Sequence, residues 1–101
     1  MKYNKLVRDK IPGIIRRKGK NPITHVADEN EYWEKLREKL NEEVVEFLSS
    51  ESREELADIL EVVYSLDEAR GVNPVTLEEV RKDKAEKSGG FKKRIVLDET
   101  R

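Results

Sequence analysis

Between residues 28 and 49 the chain reads as an amphipathic helix, and an acid sits where its buried stripe should be purely apolar. At about 100° per residue, Leu36, Leu40 and Phe47 stack on one face, and Glu43 projects onto that same face, within about 20° of Leu36. A carboxylate at that phase cannot be an ordinary solvated side chain. Glu46 lies about 60° further round, at the stripe's edge, and Glu42 about another 40° outside it, so Glu42 is expected to be the wetter of the two. Glu43 and Glu46 are therefore the expected inward pair.

A second amphipathic helix, over residues 53–70, carries Glu55 and Asp58 three apart, so that both share a side and can reach one ion; Glu55 borders Val62 and Leu66. Burying several carboxylates together is costly unless a cation compensates them. Four converging oxygen donors, Glu43, Glu46, Glu55 and Asp58, with no cysteine and a single histidine in the chain, suit a hard ion: magnesium, or manganese as the alternative.

Each cluster also has a plainer reading. With 43% charged residues, an acidic pair on a helix is ordinarily a solvated face, although the phase of Glu43 argues against that here. Ser52-Arg53-Glu54-Glu55 fits a capping box, in which Glu55 would only satisfy the helix N-terminus. Asp67 falls near the centre of the second helix's apolar face and has no role in the metal reading. His25, the only histidine, has no nucleophile or ligand partner in the sequence, which excludes a Ser-His-Asp or Cys-His mechanism.

With 101 residues, the chain is expected to be one domain, 1–101, with a modest core. Leu56, Ala57, Ile59, Leu60, Val62, Val63, Tyr64 and Leu66 spread over roughly 220° of the second helix, wider than one core contact requires, which points to a homodimer or homotetramer. The absence of cysteine rules out disulfides and thiolate metal sites. Apolar runs are short and the opening Met1-Lys2-Tyr3-Asn4 has no signal-peptide core, so a cytoplasmic protein with no membrane partner is expected.

Net charge is −1, but the signs are segregated. Residues 1–20 and 81–94 are basic, and the acids gather from Asp28 to Glu68. An acidic metal centre between basic arms suits a metal-bound, polyphosphate-bearing substrate, with Lys5, Arg8, Lys10, Lys84 and Lys87 as candidates for the phosphates. The bland alternative is that the arms are solvated. No aromatic-interleaved basic stripe supports nucleic acid as a partner.

Local signals divide the chain into helices. Pro12 suits the first turn of a helix over 13–18 that Gly19 ends; Asp28 caps the first acidic helix; Gly71 closes the second; Thr76-Leu77-Glu78-Glu79 is a capping box for a polar helix ending before Ser88-Gly89-Gly90. Residues 23–27 and 91–97 are expected as two short strands that could pair. The expected fold is all-α: a bundle of about four helices with a small two-strand appendage, dimeric or higher.

These residues also form a recognisable pattern. Tyr3-Asn4-Lys5-Leu6-Val7-Arg8-Asp9-Lys10-Ile11-Pro12, Glu42-Glu43-Val44-Val45-Glu46, Glu54-Glu55-Leu56-Ala57-Asp58, Gly89-Gly90-Phe91 and Arg94-Ile95-Val96-Leu97 run along nearly the whole chain. Together they resemble the MazG-like, phosphoribosyl-ATP pyrophosphohydrolase-like branch of the all-α nucleoside triphosphate pyrophosphatase superfamily. The resemblance implies a magnesium-dependent helical enzyme whose metal ligands match Glu43, Glu46, Glu55 and Asp58, and which splits nucleoside triphosphates into monophosphate and pyrophosphate to clean the nucleotide pool. Where that family often has Arg before Gly-Gly-Phe, this chain has Ser88, with Lys87 or Lys84 as the nearest substitutes. A carboxylate not fully committed to metal, Glu46 or Glu42, would activate water. Phosphoribosyl-ATP as substrate, or a non-catalytic helical interaction module, are the alternatives.

Overall fold

The computed structural model describes residues 3–101. It is all-helical, with four helices and no strand among the described residues, and falls into two units, Met1–Gly71 and Val72–Arg101. The first holds α1 (Ile11–Arg17), α2 (Glu29–Ser50) and α3 (Arg53–Ala69); the second holds α4 (Leu77–Ser88).

Capping chemistry sets these boundaries. Pro12 occupies the first turn of α1, where its missing N–H costs nothing. The Asp28 carboxylate accepts from the Glu31 N–H at 2.8 Å and opens α2. Ser52 Oγ accepts from the Glu55 N–H at 3.2 Å and opens α3. At α4 the full capping box forms: Thr76 Oγ1 accepts from the Glu79 N–H, and Glu79 Oε2 accepts from the Thr76 N–H. Gly71, at φ +101°, takes the left-handed conformation just past α3.

Only Glu51 and Ser52 separate α2 from α3, so the two helices run back to back as a hairpin. Glu51 is itself left-handed (φ 56°, ψ 24°), at a cost of roughly 1–2 kcal/mol for a residue with a Cβ. Its N–H donates to the Phe47 carbonyl at 2.7 Å, closing the helix.

The α2–α3 seam is the core. Leu36 (2% exposed) and Val62 (8%) are its fully buried apolar side chains, with Trp33, Leu40, Phe47, Ile59, Val63 and Leu66 half-buried around them. Burial of each of the first two contributes about 1.5–3 kcal/mol. Outside the seam, Leu48 (70%), Leu56, Leu60 and Tyr64 remain exposed, which is much of the excess apolar arc expected on α3 and an extension of it onto α2. Asp67 is exposed in the last turn of α3. No described helix is long and apolar enough to cross a membrane.

The expected two-strand appendage is not formed. Residues 23–27 and 91–97 are irregular, with Ile23 (96%) and Phe91 (97%) almost wholly exposed. Two short strands gain too little from their ladder unless an apolar face covers them, and neither segment has one within its own unit.

Candidate metal centre

Helical phase determines what meets at the hairpin seam. Glu43 is on the face of α2 that packs against α3, and it is buried, at 6% exposure. Glu55 and Asp58, on the first turns of α3, are brought opposite it by the two-residue connection. One carboxylate oxygen from each of Glu43, Glu55 and Asp58 lies within 4.8 Å of the others.

Among the described residues, no group fully satisfies the two central carboxylates. Glu43 Oε2 and Glu55 Oε2 are both buried without a hydrogen-bond partner. Lys39, one turn earlier on α2, reaches only the other Glu43 oxygen, at 3.5 Å. A proton shared between the acids is one remedy, and Glu55 registers it: its carboxyl is pushed up to about 7, first by hydrogen bonding with Glu43, then by burial and by the charges of Glu46, Glu43 and Asp58. A divalent cation is the other remedy, and the all-carboxylate donor set suits a hard ion such as magnesium.

The capping box expected at Ser52–Glu55 is only half formed. Its backbone N–H is the group that Ser52 caps, while the Ser52 N–H turns to Ser50 Oγ at 3.3 Å instead of completing a box with the Glu55 carboxylate. That carboxylate is left to face Glu43.

The expected order of Glu46 and Glu42 is reversed. Glu46 is exposed and stands outside the trio of converging oxygens, although its charge still acts on Glu55. Glu42 is the more covered, because Lys5 Nζ donates to its Oε1 at 3.1 Å. The cause is the path of residues 3–8 over this part of the hairpin, which helical phase alone does not encode. Arg8 Nη2 donates to Asp58 Oδ1 at 2.7 Å, and Lys35 Nζ donates to the Asn4 carbonyl at 2.8 Å.

Lys5 and Arg8 are thus brought to the acids, with the Glu42 carboxylate raising the Lys5 ammonium above its ordinary value. Lys10 stands just before α1 without a side-chain capping bond and is exposed. Lys84 and Lys87 belong to the second unit, exposed on α4, where Lys87 pairs with Asp83 at 3.1 Å. His25 bonds Glu31 at 2.8 Å, apart from the acidic trio. Lys39 was not among the residues expected at the site; its i,i+4 spacing to Glu43 is the signal that would have found it.

Comparison with known proteins adds one relative. Over 49 residues the chain is 43% identical to an uncharacterized protein of Mycolicibacterium smegmatis (strain ATCC 700084 / mc(2)155), a match covering 48% of this chain. The chain spans about half the length of that relative, 50%. No family model and no solved structure matches.

Proposed function

We propose that the protein is a magnesium-dependent nucleoside triphosphate pyrophosphohydrolase of the MazG-like kind, cleaving between the α and β phosphates to give monophosphate and pyrophosphate. The observation that carries this reading is the pair of buried, partnerless oxygens, Glu43 Oε2 and Glu55 Oε2, on helices held together by a two-residue turn. Two acids so placed call for a shared proton or a cation, and the third carboxylate converging on them, Asp58, favours the cation.

Glu43, Glu55 and Asp58 are the residues that would hold the ion. When bound, magnesium supplies positive charge against the phosphate oxygens and favours ionisation of an attacking water. Glu46 is the better placed of the two candidate bases, since it is exposed at the rim while Glu42 is engaged by Lys5. It could complete the ligand set or take the water's proton. Lys5, Arg8 and Lys39 line the same acids and would meet the phosphate charge of an incoming nucleotide.

The working form is proposed to be a homodimer in the cytoplasm. Leu48, Leu56, Leu60 and Tyr64 leave an apolar stripe on the hairpin that a second copy would cover.

The test is pyrophosphate release from a panel of ribo- and deoxyribonucleoside triphosphates, with magnesium and with chelator, for the natural protein and E43Q. Release confined to the natural protein with magnesium, with monophosphate as co-product, is expected. Equal release from E43Q, or none from any nucleotide, would defeat the proposal, and phosphoribosyl-ATP would then be the next substrate to try.

A further inference from the structure

Residues 4–8 are held against the hairpin in an unusual way. Asn4 adopts a left-handed backbone (φ 50°), and its carbonyl accepts from Lys35 Nζ at 2.8 Å. A few residues on, α1 begins at Ile11. Between these anchors, the two cations of the segment lean on two different acidic helices: Lys5 on Glu42 of α2, and Arg8 on Asp58 of α3.

The Arg8 contact is the informative one. Asp58 is a member of the converging trio, so the guanidinium occupies an oxygen of the same carboxylate that would bind the ion. A single nitrogen makes the contact, at 2.7 Å, and the arginine side chain remains 57% exposed. The other nitrogens of its planar donor fork make no hydrogen bond to a described residue, which leaves them for a phosphate that engages two N–H groups at once. A wet, one-point ion pair is weak and exchangeable.

We propose that residues 4–8 form a strap whose Arg8 is handed over during ligand binding, from Asp58 in the metal-free protein to a phosphate oxygen of a metal-bound polyphosphate. The strap gives the acids a counter-charge until a divalent cation arrives. With a divalent cation on the acids, Arg8 would be free to leave Asp58, and its guanidinium would add to the grip on the anion. Metal and phosphate bind cooperatively as a result, although each faces a strap that opposes it when it comes alone.

This inference rests on the metal-centre reading above. The test is calorimetric titration with magnesium alone, followed by titration of magnesium-saturated protein with inorganic pyrophosphate, for the natural protein, R8Q and R17Q. Arg17 is exposed at the end of α1, and its substitution removes the same charge as a control. R8Q is expected to bind magnesium about two- to fivefold more tightly, the scale of one exposed ion pair, and to bind pyrophosphate severalfold more weakly. R17Q should change neither by as much as twofold.

Opposite signs in the two titrations are the signature, because a merely structural role for Arg8 would weaken both. Unchanged or weaker magnesium binding by R8Q overturns the strap, as does tighter magnesium binding with unchanged pyrophosphate affinity. Absence of magnesium binding by all three proteins overturns the metal centre itself, and the strap with it. If R8Q does not fold, R8M carries the same comparison, since it too removes the charge that leans on Asp58 while keeping an unbranched side chain.

Discussion

Replacing Glu43 by glutamine should make the metal-free protein more stable. In the native chain Glu43 Oε2 and Glu55 Oε2 are both buried without a donor, beside Asp58. The glutamine amide keeps the shape of the side chain and brings N–H donors to the position of one orphaned oxygen, so it can donate to the other. A hydrogen bond to a charged group is worth about 1.5–3 kcal/mol. Against it stands the lost Lys39–Glu43 pair, a 3.5 Å i,i+4 contact, worth about 0.3–0.5 kcal/mol. The net gain is about 1–2.5 kcal/mol, which in a domain of this size raises the melting temperature by about 4–20 °C. The assay is thermal unfolding at pH 8 in chelator and then in millimolar magnesium. The natural protein should melt lower than E43Q in chelator and rise with magnesium, while E43Q should ignore the ion. A metal-free E43Q that melts below the natural protein would refute the reasoning, since the acids would then be well satisfied by something other than a cation.

Three further outcomes follow from other parts of the structure. Because the Glu55 carboxyl is raised from 4.5 to about 7 in the folded protein, it adds stability that is complete below pH 4.5 and is lost as pH rises through 7; metal-free melting should therefore fall between pH 5 and pH 8 from this group, and magnesium binding should release a proton near pH 6, read by calorimetry in buffers of different ionisation heat. Ser52→Ala removes the cap on the Glu55 N–H and should cost about 1 kcal/mol in urea unfolding. Leu60→Glu places a charge on the exposed stripe and should convert the proposed dimer to monomer in sedimentation velocity; a natural protein that is already monomeric at high micromolar concentration would dispose of the dimer.

The sequence made the helices legible because their ends carry chemical signals: Asp28, Ser52 and Thr76 each stand immediately before an observed helix start, and Gly71 two residues past the end of α3. Burial of Glu43 was legible for a related reason, since helical phase decides which side chains face the seam. What phase could not supply was the course of the irregular segment before α1. That course covers Glu42 with Lys5 and leaves Glu46 open, reversing the order expected from angles alone. The same limit explains residues 23–27 and 91–97, whose weak alternation suggested strands: a strand is made by its neighbours, and these have none within their units.

The brevity of the connection between α2 and α3 bears on how the molecule comes to be folded. Glu43 and Glu55 are twelve positions apart in the chain, a loop short enough to close in roughly 10–100 ns. Contacts so local form early, and a hairpin of two long helices is a natural nucleus for the first unit. The conflict between its acids is then present on the way uphill, before the native state is reached. Magnesium acting on such a nucleus would hasten refolding more than it slows unfolding, and the strained left-handed Glu51 would be felt on the same limb of the kinetics.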